Sequence, residues 1–239
     1  MHNGKMMNFN SAVERLRQAH LSLDSYLSRT NVVSHLIRRE AGLGASDILI
    51  QCSILREAHI LSNAPVSVLK EHPLASAQFI KRGYVSSVGP DSRLKVAYKA
   101  LFYFVRAYQD ALYKALFQVE AGRRPRKYAS MTNAIDENKE NYRTHDAVGS
   151  VLAYAYPEYL GWFLYWRNKR NAVKVGAGFS ITGGTEGIGI TFETVTENGG
   201  TMTDLSGAQS VGIADAAQAI ETSARLAILC LERTKMKTS

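Results

Sequence analysis

Cysteine is scarce in this sequence of 239 residues, which contains only Cys52 and Cys230. Both stand among apolar residues, so we expect neither a disulfide framework nor a cysteine-rich zinc site, and the composition favours a reducing compartment. His59 and His72 have no cysteine or carboxylate at the spacing of metal ligands. The sequence therefore predicts no metal centre.

Long hydrophobic runs are also missing. The first ten residues, MHNGKMMNFN, include no apolar core of signal-peptide length. The most apolar stretch, VLAYAYPEYLGWFLYW at residues 151–166, is too short to span a bilayer and contains Pro157 and Glu158. We expect a soluble cytoplasmic protein that does not associate with a membrane.

Several enzyme motifs are absent: no G-x-S-x-G elbow, H-E-x-x-H helix or G-x-x-x-x-G-K-[ST] loop occurs. The string TGGTEGIG within residues 181–190 resembles the cofactor loop of the short-chain dehydrogenases, which precedes a helix. Here the residues after it, GIGITFE, alternate as in a strand, and no Tyr-x-x-x-Lys pair follows. The sequence predicts a β-hairpin near residues 177–196 and no nicotinamide cofactor.

Helical periodicity covers most of the remaining chain. We expect a disordered start at residues 1–9, a helix beginning at Asn10 or Ser11, and helices near 31–41 and 46–61 separated by the glycines of AGLGAS. The three helices belong to an N-terminal helical region at residues 10–90. The fold class predicted is mainly α, a helical bundle with one β-hairpin.

The clearest helix lies in residues 93–121, where Ser92 can cap the start and Gly122 can end it. Its apolar seam consists of Leu94, Tyr98, Leu101, Val105, Tyr108, Leu112, Ala115 and Val119. A polar short helix is expected at MTNAIDENKEN (131–141), a helical region from about Thr144 divided by Pro157, and a closing helix from Ile213.

Positive charge exceeds negative charge, with a formal net charge of +8 and a pI near 9.5. This balance favours an anionic partner, most commonly nucleic acid, although many soluble proteins are basic without binding one. Two clusters carry much of the charge. The first is the loop with Arg123, Arg124, Arg126 and Lys127, and the second is the segment with Arg167, Lys169, Arg170 and Lys174.

The second cluster lies in WFLYWRNKRNAVKVG, residues 162–176. Arg170, Asn171, Lys174 and Gly176 match the form R-N-x-x-K-H-G, and this segment resembles the signature helix of HEPN proteins, a helical family that includes many RNases. Val175 stands where that motif has histidine. The resemblance implies a HEPN-like domain at residues 91–239 with a β-hairpin insertion, RNA as a partner, and a homodimer.

Chemically, arginine stabilises charge on a phosphate, whereas histidine transfers protons near neutral pH. Valine does neither, so the resemblance implies an RNA-associated protein with a degenerate nuclease site at Arg170 and Asn171. His145 could supply a replacement group only if a bend at Pro157 or a dimer brought it near Arg170. Two alternatives stay open: an active metal-independent endoribonuclease that uses another histidine, and a non-enzymatic helical adaptor with a solvated basic surface.

Overall fold

The computed structural model describes the backbone of residues 2–62, 78–81, 84–87, 90–174, 178–184, 187–193, 196–197, 200–201 and 211–239, and side chains within 8–60, 93–171 and 211–239. It is mainly α-helical. The helices are α1 (His2–Thr30), α2 (His35–Ser62), α3 (Pro90–Ala121), α4 (Ala147–Ala155), α5 (Tyr159–Lys174) and α6 (Ile213–Thr238).

Short antiparallel strands accompany the helices. They are β1 (Gln78–Lys81) with β2 (Tyr84–Ser87), β3 (Ile135–Asp136) with β4 (Asn141–Tyr142), β5 (Gly178–Gly184) with β6 (Gly187–Glu193), and β7 (Thr196–Glu197) with β8 (Gly200–Thr201). Strand β9 (Val211–Gly212) joins β6. The β5–β6 pair is the hairpin predicted near 177–196, and its register aligns Ile181 with Ile190. A strand therefore follows the glycine motif, in the place where a dinucleotide site would have a helix.

Helix α3 is central because it contacts both the N-terminal and the C-terminal helices. Helix α1 packs along α6, α2 packs along α3, and α4, α5 and α6 also contact α3. All eight predicted seam residues of α3 are buried, and Gly122 ends the helix with φ of 62°. The described helices on both sides of the predicted boundary near residue 90 share one hydrophobic core.

Two predictions about helix boundaries were wrong. Helix α1 starts at His2 instead of Asn10 or Ser11, and it includes the residues expected to be a disordered start, with Phe9 buried in the core. Helix α2 runs through the glycines of AGLGAS without a break. A Cβ atom on Gly44 would lie 3.2 Å from the Tyr108 Cα. That glycine therefore permits close contact between α2 and α3.

The segment after α3 also differs from the prediction. Residues 131–141 were expected to form a short polar helix. Instead, a 3₁₀ turn at Met131–Ala134 leads into the β3–β4 pair. The Met131 N–H donates to the Asp110 carboxylate at 2.8 Å, so this turn is fastened to α3.

The break predicted at Pro157 is confirmed, since α4 ends at Ala155 and α5 begins at Tyr159. The Tyr142 hydroxyl donates to the carbonyls of Tyr156 and Pro157 at 3.0 and 3.3 Å. Asp146 caps α4 by accepting from the N–H groups of Val148 and Gly149. His145 consequently precedes the cap of this helix.

Candidate functional site

The aromatic residues of α5 anchor it to the core. Trp166 and Phe163 are buried, the Trp166 ring centroid lies 4.6 Å from that of Phe102 on α3, and Trp162 stacks on Trp166 at 5.5 Å. Their packing fixes the face of α5 that carries the Arg-Asn element, because the remaining positions of each turn point away from this contact. The aromatic side chains thus position the basic ones.

Arg106 of α3 lies against this face although the sequence analysis did not select it. Its side chain is buried, with the residue 7% exposed, and its guanidinium carbon stands 4.6 Å from the centroid of the Phe163 ring. Arg106 Nη2 pairs with Asp110 Oδ1 at 2.9 Å. Within the described residues, Arg106 Nη1 is buried and has no hydrogen-bond partner.

The electrostatics of this pair follow from its burial. Desolvation lowers the pKa of Arg106, Asp110 opposes that change, and the positive charges of Arg170 and Arg167 add to it. Desolvation also raises the pKa of Asp110 against the opposing effects of Arg106 and the Met131 N–H. The ordinary pKa of arginine lies so far above neutrality that Arg106 keeps its charge at neutral pH.

Arg106 opens into a cavity of 540 Å³ that we call the arginine cavity. Its volume is within the range of about 300–1,000 Å³ common for ligand sites. The cavity is lined by Arg106, Asp110, Ser130, Thr132, Arg167, Arg170 and Asn171. Three guanidinium groups and two hydroxyls face it with one carboxylate, which is a donor-rich environment for an anion.

Arg170, Asn171 and Arg167, which the sequence analysis selected, line the same cavity. Arg170 Nη1 donates to Asn171 Oδ1 at 3.1 Å, and the buried Arg170 Nε has no partner in the described part of the chain. Arg167 Nη1 pairs with Glu137 Oε2 at 2.6 Å, which connects α5 to the turn between β3 and β4. Arg106 Nη1 and Arg170 Nε are therefore two buried donors that have no acceptor among the described residues.

Lys169 is placed differently from its neighbours. It is 8% exposed, does not line the arginine cavity, and has its Nζ 5.3 Å from the Tyr165 ring centroid. Burial lowers the pKa of Lys169, and the nearby Asp215 opposes that change. The predicted phosphate contact at Lys169 is therefore not supported by its position. Lys174 lies in α5, but its side chain is outside the described residues, as are Val175 and Gly176.

His145 does not meet Arg170. It lines a second cavity of 400 Å³, which we call the loop cavity, together with Arg123, Arg126 and Arg143. The chain does bend at Pro157, yet the bend places His145 in a different cavity from Arg170. Ala129 and Asn133 line the loop cavity while Ser130 and Thr132 line the arginine cavity, so one short segment borders both.

The remaining residues of the basic loop lie outside both cavities. Arg124 is exposed to solvent. Lys127 lines a further cavity of 460 Å³, which shares Asp110 and Ser130 with the arginine cavity and also contains Glu40, Asp47 and Lys114. Since these carboxylates repel phosphate, Arg123 and Arg126 are the loop residues best placed for an anion.

The described residues give little support for a metal site or a reactive cysteine. No group of three potential metal-ligating side chains occurs among the side chains that the structure describes. Cys52 and Cys230 are free and buried, and desolvation raises the pKa of each thiol to about 12, which keeps them protonated. No described helix is long and apolar enough to cross a membrane.

Comparisons of this chain with protein-family models, with curated proteins and with solved structures gave no match.

Proposed function

We propose that this is an RNA-associated protein of HEPN-like type that binds the phosphate backbone of RNA in the arginine cavity. The observation that supports this function best is Arg106. A buried guanidinium with an unpaired donor costs free energy unless a ligand or water satisfies it. Here that donor belongs to a residue lining a cavity with Arg167 and Arg170.

A phosphate group suits this cavity better than a neutral ligand. Two guanidinium groups can donate in parallel to its oxygens, and, since the Ser130 and Thr132 hydroxyls bond to each other at 2.7 Å, one of these two hydroxyls can donate to an oxygen that remains. Asp110 fixes Arg106 and offsets only part of the positive charge. Binding through phosphates carries no sequence information, so RNA affinity would depend weakly on base sequence.

Binding without cleavage follows from the replaced histidine. Arg170 and Asn171 supply donors for a phosphate, and valine at position 175 supplies no acid or base. The loop cavity extends the same function, because Arg123, Arg126 and Arg143 offer a second group of cations across the segment 129–133. The resemblance also implies that the protein acts as a homodimer.

The test is fluorescence anisotropy with a labelled single-stranded RNA of twelve nucleotides. Arg170→Ala removes a charge-assisted contact of about 1.5–3 kcal/mol, so Kd should rise tenfold or more. Arg15→Ala is the control, since it also removes one positive charge but lies outside the arginine cavity, where Arg15 pairs with Glu221. Equal affinities for Arg170→Ala and the unchanged protein would contradict the proposal.

A second candidate function is a metal-independent endoribonuclease centred on His145. The observation in its favour is that His145 lines the loop cavity beside three arginines, where an imidazole could take the proton of a 2′-hydroxyl. Cleavage of the same RNA in EDTA, abolished by His145→Ala and retained by His35→Ala, would support it. Cleavage that His145→Ala leaves unchanged would remove His145 from consideration.

The third reading, a helical adaptor, makes the opposite prediction for RNA. It expects an affinity no higher than that of other basic proteins, and equal losses on Arg170→Ala and Arg15→Ala. The two anisotropy variants therefore separate an RNA-binding site from general surface charge.

A further inference from the structure

Tyr103 is an exposed aromatic residue beside the arginine cavity. It is 40% exposed on α3, and the guanidinium carbon of Arg170 lies over its ring, 5.6 Å from the ring centroid. A cation–π contact extends to about 6 Å, so the two side chains are in contact. Arg170 also lines the arginine cavity. One arginine therefore connects the exposed ring with the proposed phosphate site.

The place of Tyr103 on α3 follows from helical spacing. Arg106 and Asp110, which line the cavity, follow Tyr103 at intervals of three and then four residues, so the three residues lie along one face of the helix. The preceding residue, Phe102, is instead buried and packs on Trp166. Of these two adjacent aromatic residues, one therefore belongs to the core and the other stays at the surface near the cavity.

An unpaired base is the ligand that suits an aromatic ring in this position. One ribose joins each base to its phosphate, so a base must bind close to the phosphate that Arg170 contacts. Proteins stack single-stranded bases on tyrosine rings and on guanidinium planes, and both groups are present here. In a duplex the bases stack on one another and are paired, which leaves none to cover Tyr103.

We infer that Tyr103 stacks on an unpaired base whose phosphate occupies the arginine cavity, so that the site takes single-stranded RNA in preference to a duplex. This inference rests on the proposed function. Phosphate contacts alone give no such preference, because a duplex carries its phosphates at a higher density than a single strand does. Every base has a face that can stack, so the selection is for unpaired bases and not for a sequence.

Anisotropy with three labelled probes tests the stacking. The probes are a single-stranded RNA of twelve nucleotides, the same RNA paired with its complement, and a ribose-phosphate strand of equal length without bases. The unchanged protein should bind the single strand most tightly. Tyr103→Leu should raise the Kd for that probe about tenfold, as the loss of one stacked base predicts, and leave the other two Kd values almost unchanged. Tyr103→Phe keeps the ring and should bind as the unchanged protein does.

Tyr154→Leu is the matched control, because Tyr154 is 90% exposed on α4 and lines neither the arginine cavity nor the loop cavity. It should leave all three Kd values unchanged. Salt dependence then separates the ring from the charge. Tyr103→Leu should keep the slope of the unchanged protein, since stacking releases no counterions, whereas Arg170→Ala should reduce it.

Each outcome bears on a different claim. Single-strand binding that Tyr103→Leu leaves unchanged and Arg170→Ala weakens would overturn the inference and leave the proposed function standing. A loss for Tyr103→Leu that is equally large with the strand without bases would also overturn the inference, because the ring would then act only by positioning Arg170. No loss for Arg170→Ala with any probe would contradict the proposed function, and the inference with it.

Discussion

At the scale of single residues, Arg106 shows how a charged side chain can be built into a core. Its guanidinium lies against the Phe163 ring, Nη2 pairs with Asp110, and the buried Nη1 has no partner among the described residues, while the residue itself lines the arginine cavity. Asp110 accepts from the Met131 N–H as well, so one carboxylate positions both the arginine and the 3₁₀ turn that borders the cavity. Removing Asp110 would therefore disturb two walls of the cavity at once.

Gly149 is predicted to be essential for packing because no side chain fits there. A Cβ atom would lie 2.3 Å from the Arg143 carbonyl oxygen and 2.8 Å from that of Ala134. Gly149→Ala must displace backbone, and we expect a loss of about 2–3 kcal/mol in the free energy of unfolding. Urea titration followed by circular dichroism measures this change.

Gly161 provides the matched control. It lies in α5, and a Cβ atom there would meet nothing within 4 Å. Gly161→Ala should therefore raise the free energy of unfolding by about 0.5–1 kcal/mol, since alanine favours a helix over glycine. Equal effects of the two substitutions would contradict the packing described for Gly149.

At the scale of elements, one carboxylate joins the ends of α3 and α6. Glu120 is 7% exposed at its side chain and accepts from Arg233 Nε at 2.5 Å and Arg233 Nη2 at 3.0 Å, with Lys237 at 3.4 Å. Burial works to raise the pKa of Glu120, but the hydrogen bonds and charge of Arg233 and Lys237 outweigh it and lower the pKa below 4.5.

This contact predicts a pH dependence of stability. A carboxyl whose pKa is lower in the folded state stabilises the fold above its unfolded pKa, and that stabilisation is lost as the pH falls through the folded value. Glu120→Gln should cost about 2 kcal/mol at pH 7 and progressively less as the pH falls below 4.5. Thermal melting of the variant and the unchanged protein from pH 3 to 7 measures the loss of stability at pH 7 and its decrease at lower pH.

Glu14→Gln is the control for that series, because Glu14 forms an exposed pair with Arg17. We expect Glu14→Gln to change the free energy of unfolding by less than about 0.5 kcal/mol at any pH. A loss for Glu120→Gln that stays constant between pH 3 and 7 would contradict the role assigned to its charge.

The elements differ in how well the sequence predicts them. The seam of α3, the break at Pro157 and the β5–β6 hairpin follow from periodicity and from proline and strand chemistry, which are local properties. The continuity of α2 through Gly44 does not follow from local properties, because the reason for a glycine there is the close approach of Tyr108 on another helix. Local patterns could not reveal that contact.

The residues of the candidate site also differ in how well the sequence predicts them. Arg167, Arg170 and Asn171 are close in the sequence, were selected from it as site residues, and line one cavity. Arg106 was missed because most of the residues that share its cavity come from distant segments of the chain. The signal that could have found Arg106 is its spacing of four residues from Asp110 within an otherwise apolar stretch, where an isolated charge would be costly.

At the scale of the whole molecule, the proposed function assigns one RNA strand to both cavities. The segment 129–133 borders both, with Arg106, Arg167 and Arg170 on one side and Arg123, Arg126 and Arg143 on the other. A single RNA strand across this segment would place separate phosphates in each cavity. The net charge of +8 favours the approach of such a strand over the whole surface.

The salt dependence of RNA binding tests this account most directly. For a single strand, the logarithm of the association constant falls with the logarithm of salt concentration by about 0.7 for each phosphate contacted. Anisotropy titrations from 50 to 300 mM NaCl should show a slope about 1.4 smaller in magnitude for Arg167→Ala with Arg170→Ala, because two contacts are lost. The control pair Arg15→Ala with Arg17→Ala should keep the slope of the unchanged protein. An unchanged slope and affinity in the cavity variant would contradict the claim that RNA phosphates bind in the arginine cavity.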